Sequence, residues 1–260
     1  LAGSRGMGGA PLLSSEAALR SGSGLVYLLT ADEVETGIAN QLKELVSIPL
    51  ASRDGIIAEQ SLAKILDFSA KVDLLAAGPG LGNNEATQKV IRGILENLSL
   101  PLVLDADALN SIKDLNLLKQ YDGEILITPH PGEMARLLDK SITEINQNRI
   151  KTATDFAKKY KVNIILKGAA TVTAAADGRA YLNQTGTNGM AAAGSGDVLT
   201  GIVSALIGQG MPIFEAAALA VYVHGRSGEL AAEKKSDFGL KSGDLIDFLP
   251  EIWKLLQMKY

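Results

Sequence analysis

Short apolar runs that each stop at a polar loop rich in Gly or Pro constrain this chain more than any other feature. Residues 73–77, 101–105, 124–127 and 163–167 are such runs. They are continuously apolar rather than alternating, as expected of strands covered on both faces. Each gives way to a loop: Gly78-Pro79-Gly80-Leu81-Gly82, Asp105-Ala106-Asp107-Ala108-Leu109-Asn110, Thr128-Pro129-His130-Pro131-Gly132-Glu133 and Gly168-Ala169-Ala170. Helical stripes lie between them, such as Val90, Ile91, Ile94, Leu95 and Leu98 within residues 85–98, and the amphipathic residues 146–160. The alternation predicts an α/β fold: a mostly parallel central sheet flanked by helices on both faces. Such sheets gather ligands beyond the carboxyl ends of their strands.

The remaining periodicities predict helices at residues 12–20, 32–45, 61–68, 213–233 and 242–256, and a strand at 25–29. Residues 48–57 read as irregular. Residues 171–176 and 179–183 flank Asp177-Gly178, a strong hairpin signal. No repeat, linker or shift in composition divides the chain, so residues 1–260 are expected to form one domain. Leu1-Ala2 reads like the tail of a strand, so an N-terminal strand cut short is expected, with residues upstream missing.

Composition narrows the partners. A net charge of −4 without a basic run argues against nucleic acid and anionic membranes. No apolar run is long enough to span a bilayer, and no signal peptide is evident. The absence of Cys excludes disulfides and thiol catalysis and fits a reducing, cytoplasmic setting. Two His without Cys argue against structural zinc. The Ala-rich helix from Ile213 suits either a core or an interface, so a homo-oligomer is compatible with it.

The richest stretch is Asn188-Gly189-Met190-Ala191-Ala192-Ala193-Gly194-Ser195-Gly196-Asp197-Val198-Leu199-Thr200-Gly201. A loop of small residues enters a helix whose Val198, Leu199, Ile202, Val203, Leu206 and Ile207 share one face. Its free N–H groups and the positive end of the helix dipole make an anion site. Asp197, in the first turn, repels a phosphate but suits a general base aimed at a hydroxyl that attacks a phosphoryl group. The alternative is a tight turn with Asp197 as a helix-terminus acid. The other loops read both ways as well. Gly78 to Gly82 is a ligand approach or a plain turn. Asp105, Asp107 and Asn110 handle a cation or polar substrate groups, or Asp107 caps a helix. His130 belongs to a site or braces its loop. Lys167, at a strand end, meets phosphates or is simply solvated.

Taken in order, these motifs resemble the NAD(P)H-hydrate dehydratases. The resemblance rests on Gly3-Ser4-x-Gly6-Met7-x-Gly9-Ala10, Ala17-Ala18-Leu19-Arg20-x-Gly22-x-Gly24-Leu25-Val26, the first three loops above, Leu166-Lys167-Gly168, Asn188-Gly189-Met190-Ala191, Gly194-Ser195-Gly196-Asp197-Val198-Leu199-Thr200-Gly201 and Val223-His224-Gly225. It covers nearly the whole chain. It implies a ribokinase-like fold and a repair activity: dehydration of the S-form of hydrated NADH or NADPH with ADP or ATP as co-substrate and Mg2+. In the implied chemistry the ring hydroxyl attacks the nucleotide's terminal phosphoryl group, and the phosphate ester is then eliminated. The resemblance places substrate contacts at Ala10, Gly80, His130 and Asp197, with Asp197 the base. It places the nucleotide at Lys167, Gly168, Ala169, Ala170, Thr171 and Gly196. Glu133 would steer a metal through water, and His224 is read as a helix-packing residue. The family's dehydratase is often fused behind an epimerase domain, so this chain is expected to be a standalone enzyme or an excised part.

Two other readings stand beside this one. A small-molecule alcohol kinase of the ribokinase-like superfamily would leave a stable phosphorylated product. The His-Pro-Gly-Glu loop and Asn188-Gly189-Met190 argue against it. A non-catalytic nucleotide sensor would be expected to lose the base, yet Asp197 is present.

Overall fold

Apolar runs become central strands where no polar side chain interrupts either face. The computed structural model describes residues 1–257. Its strands are β1 (Val26–Ala31), β2 (Leu45–Leu50), β3 (Ser52–Arg53), β4 (Ile56–Ile57), β5 (Leu75–Ala77), β6 (Leu102–Leu104), β7 (Ile125–Ile127), β8 (Asn163–Leu166), β9 (Val172–Ala174) and β10 (Ala180–Leu182). Its helices are α1 (Gly9–Arg20), α2 (Asp32–Ala39), α3 (Ser61–Ser69), α4 (Glu85–Asn97), α5 (Ala106–Ser111), α6 (Asn116–Gln120), α7 (Pro131–Leu138), α8 (Ile142–Gln147), α9 (Arg149–Tyr160), α10 (Ser195–Gly208), α11 (Ile213–Lys235) and α12 (Ser242–Gln257).

The main sheet runs β10-β9-β8-β7-β6-β5. β5 to β8 are parallel, whereas β9 pairs antiparallel with both neighbours. Side-chain alternation along these strands sorts the core into two layers. Leu102, Leu104, Ile125, Ile127, Ile164 and Leu166 pack with Ile91, Ile94 and Phe156 on the α4 and α9 face. Val103, Leu126 and Ile165 pack with Val198, Ile202, Ala217 and Leu249 on the α10, α11 and α12 face. Helices therefore cover both faces, as the alternation predicts. The small residues Ala216, Ala217 and Ala220 of α11 are fully buried, so this helix serves the core.

β1 and β2 form a separate parallel pair. Leu1 and Ala2 bridge it to the main sheet. Leu1 N donates to Ala76 O at 2.8 Å, Gly78 N–H donates to Leu1 O, and Ala2 N–H donates to Leu29 O. A cavity of about 490 Å³ lies beside this bridge, bounded by Val26–Leu29 of β1 and by residues 73–76.

Two expectations are corrected. The helix expected at 32–45 ends at Ala39, and residues 45–50 form β2. Asp32, Glu33 and Glu35 favour the helix start, but pairing of Leu45–Leu50 with β1 outweighs continuation of the helix. The stretch 48–57 is not irregular. It holds the end of β2 and the β3–β4 hairpin, whose Asp54-Gly55 turn has both φ angles positive, at 56° and 75°. The hairpin expected at Asp177-Gly178 is formed by β9 and β10.

Gly78 holds β5 against β6 where the site begins. Its φ is +137°, and a Cβ there would be driven into the Asp105 carbonyl. Gly78→Ala is expected to destabilise the fold by about 3 kcal/mol or more, through strain and displacement of Asp105. Urea unfolding of the variant beside the parent protein measures it.

Candidate active site

Three elements deliver charge to one point. Asp105 follows β6, Lys167 follows β8, and Asp197 and Thr200 lie on adjacent turns of α10. Lys167 Nζ is 2.7 Å from Asp105 Oδ1, and Thr200 Oγ1 donates to Asp105 Oδ2 at 2.7 Å. Asp105 is only 1% exposed. Burial alone would raise its pKa, but the charge and hydrogen bond of Lys167, with the hydroxyls of Thr200 and Thr128, hold it below the usual carboxylate range. Burial likewise pulls Lys167 down, and Asp105, Glu133 and Asp197 more than offset this, raising it. Both partners are therefore charged.

The backbone around Lys167 is pinned. Its N–H donates to Pro129 O at 2.8 Å. Arg149 donates to the carbonyls of Leu166 and Lys167 at 2.9 and 3.0 Å. The chain turns at Gly168, whose φ of +137° suits glycine and whose Cα side faces the Arg149 guanidinium.

α7 presents the next carboxylate. His130 caps this helix: its Nδ1 accepts from Gly132 and Glu133 N–H, while Glu133 Oε2 accepts from His130 N–H at 2.7 Å. Nδ1 is thus the unprotonated ring nitrogen. Glu133 is buried, with Oε2 3.9 Å from Lys167 Nζ.

The anion site forms at the start of α10. Gly194, with φ +88°, turns the chain into the helix. The N–H groups of Ala193, Gly194, Gly196 and Asp197 have no acceptor among the described residues. Gly196 lies beside the ammonium: a Cβ there would stand 3.3 Å from Lys167 Nζ. N–H groups, the helix dipole and a lysine charge therefore converge. Asp197 accepts no hydrogen bond among the described residues. Burial first, and then the nearby Asp105, push its pKa up to about 6, with Lys167 opposing. A carboxylate of that basicity suits proton abstraction near neutral pH.

The expected site residues fall into groups. Lys167, Gly196 and Asp197 are brought together with Glu133 nearby. Ala10 and Gly80 adjoin each other, since a Cβ on Gly80 would lie 3.3 Å from that of Ala10. Ser4 Oγ donates to Gly80 O at 2.8 Å and holds that loop. His130 is exposed at the mouth of α7. Gly168, Ala169 and Ala170 form an exposed turn, with Thr171 Oγ1 donating to Gly168 O at 2.9 Å.

Three roles differ from expectation. Asp105, not Asp107, occupies the cap position of α5, and Asp107 instead accepts from Gly82 N–H at 2.8 Å, tying two loops together. The cation that Asp105 handles is the Lys167 ammonium. His224 does more than pack: its Nε2 is 2.9 Å from Ser195 O. An imidazole packed into an Ala-rich helix needs a polar partner, which was the available signal.

Among the described residues, no three His, Asp or Glu side chains gather as a cation cage requires. Glu133 is already engaged by His130 N–H and lies 3.9 Å from Lys167 Nζ. Among the described residues, no helix is long and apolar enough to cross a membrane.

The family model for NAD(P)H-hydrate dehydratase matches residues 1–251. The chain belongs to the NAD(P)H-hydrate dehydratase family. It is 41% identical, over 98% of its length, to the bifunctional NAD(P)H-hydrate repair enzyme of Moorella thermoacetica, covering 48% of that protein. The chain thus spans about half the length of most of the curated relatives it matches. It is 34% identical to the ADP-dependent (S)-NAD(P)H-hydrate dehydratase of Neisseria meningitidis, over 94% of this chain and 80% of the relative. The crystal structure of the ADP/ATP-dependent NAD(P)H-hydrate dehydratase of Bacillus subtilis, co-crystallized with ATP/Mg2+, superposes with a TM-score of 0.82. It is 33% identical and covers 98% of this chain and 87% of that one. The fold is ribokinase-like: a ribokinase-like superfamily protein of Enterococcus faecalis superposes with a TM-score of 0.81 at 25% identity, over 98% of this chain and 85% of that one.

Within this dehydratase-family site, the raised pKa of Asp197 has a stability consequence. Its folded value near 6 exceeds the ordinary 3.8, so ionised Asp197 disfavours the fold. The cost is fully present above pH 6 and fades as pH falls toward 4. Asp197→Asn is expected to stabilise the protein by roughly 1–3 kcal/mol at pH 8, and by less at pH 5. Urea unfolding at the two pH values measures the difference.

Proposed function

We propose that this dehydratase-family chain converts the S-form of hydrated NADH or NADPH to NAD(P)H, using an adenine nucleotide as phosphoryl donor. One observation carries the reading. A carboxylate raised to about pKa 6 stands beside four free N–H groups and a paired lysine.

The ring hydroxyl loses its proton to Asp197 and attacks the terminal phosphoryl group of ADP or ATP. The bond from that phosphorus to the nucleotide's bridging oxygen breaks, releasing AMP or ADP. The N–H groups of Ala193, Gly194, Gly196 and Asp197 and the Lys167 ammonium hold the group in transit, since their charge complements its oxygens. Phosphorylation makes the ring oxygen a good leaving group. The ring nitrogen's lone pair then expels it as phosphate, and loss of a proton from the adjacent carbon restores the double bond. Ala10, Gly80 and His130 form the substrate side, where Gly80's missing side chain lets its loop pack closely on Met7 and Ala10. Gly168 to Thr171 form the nucleotide side. ADP-dependence in the Neisseria meningitidis relative supports ADP as donor, and ATP is to be tested beside it.

The donor set suits Mg2+ held mainly by nucleotide phosphates and water, with Glu133 acting through water. When bound, the ion would neutralise phosphate charge.

A purified sample given hydrated NADPH and ADP, or ATP, is expected to restore absorbance at about 340 nm, the choice following from the proposed reaction class. Asp197→Asn should lower this rate by about 100-fold or more while nucleotide binding, measured by calorimetry, persists. A stable phosphorylated product with no recovered NADPH would favour the alcohol kinase instead.

A further inference from the structure

His224 is a half-buried imidazole with no part in the chemistry above. Its Nε2 lies 2.9 Å from Ser195 O and 3.2 Å from Ser195 Oγ. A carbonyl oxygen only accepts, so Nε2 carries the proton and the tautomer is fixed. Nε2 then has no lone pair for the Ser195 hydroxyl, and that O–H finds no acceptor among the described residues. Burial keeps the ring neutral, lowering its pKa to about 4.

The contact bears directly on the anion site. Ser195 C=O and Gly196 N–H belong to one planar peptide unit and point in opposite directions. Fixing the carbonyl on His224 therefore aims the Gly196 N–H at the site. The turn is braced from two further directions: Ser195 N–H donates to Ala192 O, and Ser242 Oγ donates to Ala193 O at 2.7 Å.

We propose that His224 is a positioning residue: through Ser195 O it orients the Gly196 N–H and leaves the Ser195 hydroxyl proton free for the phosphoryl group in transit. This rests on the phosphoryl-transfer reading above. It adds two groups to that step, Ser195 as a donor and His224 as the residue that directs it.

The test uses His224→Leu, His224→Gln, Ser195→Ala and the Leu/Ala double variant. His224→Leu and Ser195→Ala should each lower kcat by roughly 10- to 100-fold, with KM for hydrated NADPH within about threefold of the parent. The double variant should fall little further, because both residues act on one group. His224→Gln, whose amide N–H can reach the same carbonyl, should recover most of the loss. Independently, His224→Leu should weaken binding of ADP with aluminium fluoride, a mimic of the transferring phosphoryl group, by about tenfold or more, with affinity for ADP alone little changed. Thermal unfolding checks that each variant is folded. Full kcat in folded His224→Leu, additive effects, or equal weakening of ADP alone would overturn the proposal. If the parent does not turn over hydrated NADPH, the substrate reading falls, and the fluoride affinities still decide the role of His224.

Discussion

The rest of the site depends on the ion pair between Lys167 and Asp105. It joins the ends of two strands that are not neighbours, and Thr200 ties the same carboxylate to α10. A buried pair of this kind is weak evidence for stability, since desolvation offsets much of its attraction. Its value here is geometric. It fixes an ammonium beside Gly196 and maintains positive charge where phosphate oxygens would sit. Removing Lys167 would leave Asp105 buried without its charge partner, at a cost of about 3–5 kcal/mol.

Around that pair the site sets charges against one another. The charges of Asp105, Asp107 and Glu133 all act on Asp197, and Lys167 opposes them. Asp105 is held ionised by its partner, while Asp197, without one, is pushed toward neutrality by burial and its neighbours. Two carboxylates in one site thus have pKa values driven apart, which separates a structural role from a proton-accepting one. The strain is local. Ala106, directly after Asp105, adopts a positive φ of 46°, a conformation that ordinary residues hold only when the surroundings demand it.

Much of this was legible in the sequence. The continuous apolar runs at 102–104 and 125–127 announced buried parallel strands, and the small residues before Val198 announced a turn that leaves N–H groups unpartnered among the described residues. Asp177-Gly178 announced its hairpin. The helix boundary at Ala39 was hidden because residues 40–45 keep a helical periodicity until β1 offers them a partner. The Asp54-Gly55 hairpin carried a readable turn, but its strands are only two residues long. At the site, Asp197 and Lys167 were readable as single residues. Their joining through Asp105 was not, since a contact across 62 positions leaves no local pattern. His224 was hidden for the same reason, its partner lying 29 positions away.

The central claim is that the ring hydroxyl oxygen leaves as part of phosphate. Hydrated NADPH labelled with heavy oxygen at that hydroxyl tests it most directly. After turnover with ADP in ordinary water, mass spectrometry of the released phosphate should find the heavy label there, because the P–O bond forms before the C–O bond breaks. Label recovered in water, with unlabelled phosphate, would contradict phosphoryl transfer to the ring and separate dehydration from nucleotide cleavage.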